Sequence, residues 1–163
     1  MNNQKQRFYV WIVIALLFIG FDQLTKYWVQ QALYPGQLIT YSTFFDLVLV
    51  FNTGAAFSFL AHAGGWQMLF FSGIAFIVSA VILHQLWKDS SKSLYCLSLT
   101  GIMGGALGNV IDRIYLGKVV DFLQFHAGSH YWPAFNAADC FIVGGAILLV
   151  LDSLLHSKQK VAK

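Results

Sequence analysis

A chain of 163 residues that is 58% hydrophobic and only 10% charged is not an ordinary soluble domain, since soluble domains carry about a quarter charged residues. Its formal net charge is +3 and its seven acidic residues are all aspartate. The H-E-x-x-H motif of helix-borne zinc peptidases is therefore excluded.

Uncharged runs locate the apolar mass. In chain order they cover residues 8–21, 66–87, 93–111 and 140–151. A bilayer core takes roughly 20 apolar residues per helix. The second and third runs reach that length. The first and fourth reach it only if Asp22 and Asp139 lie at the membrane boundary. The expected architecture is an all-α integral membrane protein with spans at about 8–27, 67–87, 94–112 and 137–156, as one domain over 1–163. Lys5 and Arg7 precede the first run, but no A-x-A-like cleavage site follows, which predicts an uncleaved first helix. Near its end Asp22 and Lys26 stand four apart, acid first, a spacing that lets them pair on one face. That pair suits the anchoring of a helix end as well as a chemical role.

Residues 38–51, LITYSTFFDLVLVF, are rich in β-branched and aromatic residues and predict a strand. NTGAAFSF, from Asn52, reads as a turn into an apolar piece too short to span. Together they predict a small extracytoplasmic β element between the first two helices, lying on the membrane surface. The short connection 88–93, KDSSKS, reads as solvated. The third span contains Gly101-x3-Gly105 and Gly104-x3-Gly108, the small-residue spacing that lets membrane helices approach closely. Asn109, Asp112 and Arg113 follow on one face, either as a self-satisfying Asp112–Arg113 network or as part of a site. In the next connection, GKVVDFLQF sets Asp121 between apolar residues. FNAADCF opens the fourth span, with Asn136 placed as N-cap and Asp139 three residues on. Cys96 and Cys140 fall in the predicted spans and predict no disulfide.

Four spans put both termini and the 88–93 connection on one side, with seven of the ten basic residues. The positive-inside rule makes that side cytoplasmic. The net positive charge thus reflects topology and not nucleic-acid binding. Most of the unusual polar residues then gather at the extracytoplasmic ends of the helices. Asp121 and Asp139 have apolar neighbours that resist ionisation. If the chain between them folds back, two such carboxylates share a proton and can hydrolyse an amide without a metal or a nucleophilic side chain. His126 and His130, four apart, are a rival metal pair, although HAGSHYW reads as an interfacial loop. Cys140 lacks a local base, and Ser58 and Ser72 lack the G-x-S-x-G context. The other class open here is a non-enzymatic membrane protein whose boundary aspartates pair with Arg113 and Lys26. Asp121 and Asp139 facing each other across a cleft, with no basic residue between them, would favour the enzyme.

The blocks DQLTK, NTGAAFS, GGALGNVIDRIYLGKVVDF and FNAADCFIVGG occur in order along nearly the whole chain, and together they resemble lipoprotein signal peptidase, the bacterial signal peptidase II. The resemblance implies an aspartyl endopeptidase of the bacterial cytoplasmic (inner) membrane with Asp121 and Asp139 as its catalytic dyad. It implies supporting or substrate-binding roles for Asn52, Asn109, Arg113, Asn136, Asp22 and Lys26, and the helix face shared with Asn109 and Arg113 adds Asp112 to that set. The implied substrates are diacylglyceryl-modified prolipoproteins, cut just before the lipidated cysteine within membrane lipid. It further implies no metal or cofactor, and inhibition by globomycin-type cyclic peptides.

Overall fold

A computed structural model describes residues 3–54 and 65–161. Four long helices dominate it: α1 (Asn3–Ala32), α2 (Trp66–Asp89), α3 (Ser93–Leu116) and α4 (Ala137–Val161). All four are long and apolar enough to cross a membrane. At about 1.5 Å per residue, α1 is longer than a hydrocarbon core of roughly 30 Å requires. It runs five residues past the predicted end of its span, and that extension buries Val29 against the sheet and the start of α4. The helix stops just before Pro35 and Gly36, where φ is +80°.

α3 is the central helix, and its glycines explain how the others approach it. A Cβ on Gly101 would sit 3.0 Å from the Phe141 carbonyl oxygen of α4, and one on Gly105 would collide with the Ala138 carbonyl. On Gly104 it would lie 2.9 Å from the Phe18 Cβ of α1, and on Gly108 2.7 Å from the Asp22 carboxylate. The two G-x3-G pairs therefore serve two neighbours, 101/105 facing α4 and 104/108 facing α1. Gly145 of α4 returns the contact, with its Cβ position 2.5 Å from the Ser98 carbonyl. Below this level Ala15, Ile82, Leu86, Cys96, Leu99 and Met103 form an apolar core.

At the other end of the bundle lies a four-stranded antiparallel sheet in the order β1 (Leu38–Thr40), β2 (Phe45–Asn52), β3 (Val119–Ala127) and β4 (His130–Tyr131). Three expectations need correction. The strand expected over 38–51 is a hairpin, since residues 41–44 turn before β2 returns along β1. The segment expected as an outer connection is β3, which pairs with β2 and places Asp121 opposite Val50. HAGSHYW is likewise no irregular loop but the tight β3–β4 hairpin, turning at Gly128 with φ +60°. A second core of Val29, Leu33, Leu49, Val120, Phe122 and Ala137 fastens the sheet to the ends of α1 and α4.

The 88–93 connection is shorter and better packed than expected. Ser90 is buried, its carbonyl accepting from the Trp11 indole at 3.0 Å, and Lys92 pairs with Asp89 at 2.8 Å. Cys96 and Cys140 are free thiols, as expected. Ser58 and most of the apolar piece after Asn52 lie outside the described residues.

Candidate active site

The site is assembled where β2, β3 and the ends of α1, α3 and α4 converge. Its base is Lys26, 1% exposed, whose ammonium has three acceptors for its three donors. These are Asp22 Oδ2 at 2.8 Å, Asp112 Oδ2 at 2.9 Å and Asn109 Oδ1 at 2.9 Å. The expected Asp22–Lys26 pair is present. The Asp112–Arg113 network is not, and this too is a correction. Asp112 gives one oxygen to Lys26 and to the backbone N–H of Val120 at 3.0 Å, and the other to Gln23 Nε2 at 2.9 Å. Asp22 Oδ1 accepts the N–H of Ala138 at 2.8 Å, satisfying an orphan donor in the first turn of α4. One buried lysine and its two carboxylates thus clamp α1, α3, the start of β3 and the start of α4. Breaking such a set by removing one member leaves an uncompensated buried charge.

Above this base sits a layer of amides. Asn109 presents its oxygen to Lys26 and therefore its nitrogen to Asp139 Oδ1, at 2.9 Å. Asn136, with no exposed surface, directs Nδ2 at Asp121 Oδ1 (2.7 Å), Asn109 Oδ1 (3.1 Å) and the Val120 carbonyl (3.2 Å). It is also the expected N-cap of α4. The Asp139 N–H donates to Asn136 Oδ1 at 3.0 Å, while Asp139 Oδ2 accepts the Asn136 N–H at 3.3 Å. This reciprocal bonding is a capping box in which an aspartate occupies the third helical position.

The two aspartates lie on top. Asp121, 3% exposed on β3, is held at Oδ1 by Asn136 and at Oδ2 by Asn52 Nδ2, at 3.2 Å. Asp139, partly buried, is held by Asn109 and by the Asn136 backbone. Asn136 therefore bonds to both. Among the described residues neither aspartate is ion-paired with a basic side chain. Burial, and then the charge of Asp139 beside it, push the Asp121 carboxyl from its ordinary value of 3.8 up to about 7. Two acids in one low-dielectric site cannot both ionise cheaply, so at neutral pH this pair can hold one proton between them.

Arg113 stands close by without pairing to either. Its Nη1 donates to the Asn109 carbonyl at 3.3 Å and its Nη2 to the Gly54 carbonyl at 3.2 Å, with the guanidinium over the Phe71 ring at 5.4 Å. Asn52 Oδ1 accepts the N–H of Gly54 at 2.9 Å, so the end of β2 is tied both to Asp121 and to Arg113.

Asp121, Asp139, Asn52, Asn109 and Arg113 form the polar end of a cavity of about 740 Å³. Its long wall is apolar, with Trp132 and Phe135 above and Ile142, Val143 and Ile147 of α4 below. Val143 and Ile147 are more than half exposed on the flank of a helix apolar enough to span the membrane. The cavity is thus open along the bilayer-facing side of α4. The rival histidines are elsewhere. His126 Nε2 is 3.4 Å from Asp46 and its ring stacks on Tyr131, while His130 is exposed on β4. Sequence reasoning did not single out Gln23, whose amide nitrogen reaches Asp22, Asp112 and the Gly108 carbonyl. Its only signal was its place between Asp22 and Lys26. Nothing in the sequence marked Ile142, Val143 or Ile147 as a cleft wall.

The two aspartates and the seven supporting residues expected around them stand in this one assembly. The family described as Signal peptidase (SPase) II matches residues 14–155. The lipoprotein signal peptidases of Cupriavidus taiwanensis and Cupriavidus necator are 47% and 48% identical over 150 residues, covering 92% of this chain and 85% and 86% of theirs. That of Paraburkholderia phytofirmans is 50% identical over 144 residues, 88% of this chain and 84% of its own. Two solved bacterial membrane enzyme structures superpose with TM-scores of 0.82 and 0.77 at 30% and 31% identity, covering 93% and 89% of this chain and 91% and 92% of theirs. Agreement of sequence and fold over almost the full length leaves one assignment: the chain belongs to the signal peptidase II family.

Proposed function

We propose that the protein is an aspartyl endopeptidase that removes signal peptides from prolipoproteins, cutting just before a cysteine that already bears diacylglycerol. The observation behind this reading is the pair of carboxylates at the head of a membrane-open apolar cavity, joined through Asn136 and, among the described residues, ion-paired with no basic side chain. In the ground state Asp121 holds the proton and Asp139 is ionised. The proton falls to Asp121 because it is the more enclosed of the two. Asp139 also lies in the first turn of α4, whose positive dipole end favours its anion by about 0.3–1 kcal/mol. Asn136 and Asn109 fix both carboxylates through the Lys26 base below, so the geometry exists before substrate arrives.

Asp139 then takes a proton from a water as its oxygen attacks the scissile carbonyl carbon. Asp121 donates its proton to the carbonyl oxygen, giving a neutral tetrahedral diol. Asp139 returns a proton to the nitrogen of the lipidated cysteine, the C–N bond breaks, and Asp121 regains its proton from the diol. The products are a signal peptide with a free carboxyl terminus and a lipoprotein with a free amino terminus. Arg113 and Asn52 border the cavity where substrate backbone would lie, and their supporting roles belong to this proposal.

The substrate's acyl chains explain the placement. A lipidated cysteine keeps its chains in the bilayer, which fixes the adjacent peptide bond at headgroup depth. In the orientation set by the basic residues, both termini are cytoplasmic, and the sheet and dyad are extracytoplasmic. The whole chain acts as one domain, and globomycin-type cyclic peptides would compete for the same cavity. The test is cleavage of a purified diacylglyceryl-modified prolipoprotein by the reconstituted protein. Release of the signal peptide at that cysteine supports the reading, and a stable uncut substrate refutes it.

A further inference from the structure

The bundle end opposite the dyad holds a second cavity, of about 430 Å³, lined by Asn3, Gln4 and Arg7 of α1 and by Lys88, Ser90 and Ser91 at the α2–α3 turn. Its walls are fixed by hydrogen bonds between distant parts of the chain. Gln4 Nε2 donates to the Trp87 carbonyl at 2.8 Å, and Ser90 Oγ donates to the Gln4 carbonyl at 3.3 Å. Arg7 is oriented by Nε donating to Asn3 Oδ1 at 3.3 Å.

The charges in this cavity are uncompensated. Among the described residues neither Arg7 nor Lys88 has a carboxylate within ion-pair distance. Of the acids at this end, Asp89 pairs with Lys92 at 2.8 Å, and Asp152 Oδ1 lies 3.5 Å from Nδ1 of His156. Arg7 and Lys88 are both exposed on the border of this cavity, two like charges that an anion seated in it would bring into balance. Aromatic residues fix the depth. Phe8 packs edge-on against Trp87 at 5.2 Å, and Tyr9 and Trp87 are exposed beside them. Tyrosine and tryptophan at the ends of spanning helices mark the headgroup level.

We propose that this cavity binds the phosphate of an anionic phospholipid headgroup, with Arg7 and Lys88 as charge partners and Asn3, Gln4 and Ser91 as polar neighbours. A phosphate is the chemistry that two cations and several neutral donors bordering one cavity recognise. The lipid, and not a free phosphate, is its source, because the aromatic belt sets the cavity where headgroups lie and acyl chains can follow the apolar flanks of α1 and α2. In the orientation given above this is the cytoplasmic leaflet. The bound headgroup would join the start of α1 to the α2–α3 turn.

The test is native mass spectrometry of the full chain in neutral detergent micelles titrated with phosphatidylglycerol. Wild type is expected to retain one such lipid and to retain phosphatidylcholine far less. Arg7→Gln with Lys88→Gln should bind about 25-fold more weakly, roughly 5-fold per cation removed. Lys5→Gln removes a charge at the same end without touching the cavity, and should weaken retention of the single lipid clearly less than either Arg7→Gln or Lys88→Gln does. Glycerol phosphate should not displace the lipid. Equal binding by the double variant, an equal loss in Lys5→Gln, equal retention of phosphatidylcholine, or displacement by glycerol phosphate would each overturn the proposal. The readout depends neither on peptidase activity nor on orientation, so it can fail while the catalytic reading stands.

Discussion

Lys26 bonds to neither aspartate of the proposed dyad, yet its partners reach both of them. Its three bonds fix Asn109, which aims at Asp139, and Asp112, which holds the Val120 N–H one residue before Asp121. Lys26→Met leaves Asp22 and Asp112 buried without their cation and should lower stability by about 3–5 kcal/mol. Denaturant or thermal unfolding in lipid or detergent checks this, and near wild-type stability would show the clamp to be dispensable. Asp121 makes a second prediction, in pH. Its folded carboxyl titrates at about 7 and its unfolded one near 3.8. The unfolded chain therefore ionises first as pH rises, the folded state holds the extra proton, and stability falls between those two values and levels off above. Asp121→Asn should lack that decline. Activity should fall on the alkaline side as pH rises through about 7, when the proton-bearing partner is lost, and on the acid side as the base is protonated. The sequence made the residue-scale members of the site legible, because a charge inside VVDF or beside G-x3-G has no apolar reason to be there. Beyond the Asp22–Lys26 pair, which four-residue spacing announces, it could not show who pairs with whom. Asp112 and Arg113 are adjacent in sequence, but only the fold brings Lys26 and Val120 to Asp112.

Among the elements, α3 sets the spacing of the others, and its glycines are not interchangeable with those elsewhere. Gly105→Ala puts a methyl group into the Ala138 carbonyl one residue before Asp139, so α4 must move away from the site. Overpacking of this kind costs about 1–3 kcal/mol, and activity should drop with it. Gly73→Ala on α2 meets nothing within 4 Å and should leave both unchanged. Parallel stability and turnover measurements on the two variants check this, and equal behaviour would remove the close α3–α4 approach from the account. The second and third helices were legible from uncharged length alone, and the first and fourth once Asp22 and Asp139 were set at the membrane boundary, since lipid leaves a spanning segment little other choice. The sheet was legible only in part. β2 shows its β-branched and aromatic residues, whereas the turn at 41–44 has no glycine or proline to announce it. β3 reads locally as a connection because its partner β2 lies some seventy residues earlier.

At the scale of the whole molecule, the protein separates a polar, pre-bonded end from an apolar shaft, and the cavity along α4 links the two. That arrangement suits a substrate that is part peptide and part lipid. A prolipoprotein identical in sequence but lacking the diacylglyceryl group should be cut very poorly, and equal cleavage of the two forms would refute lipid recognition while sparing the dyad. A reporter active only outside the cytoplasm should be silent when fused to the C-terminus and active when placed in the β3–β4 turn, and the reverse pattern would invert the orientation. The most direct test of the central claim is the cleavage rate of diacylglyceryl-modified prolipoprotein by wild type, Asp121→Asn and Asp139→Asn in lipid bilayers, each shown to be inserted and folded. Because acid and base act as a unit, each single variant should lose essentially all turnover and the double variant should lose little more. Substantial cleavage by either single variant would contradict the dyad.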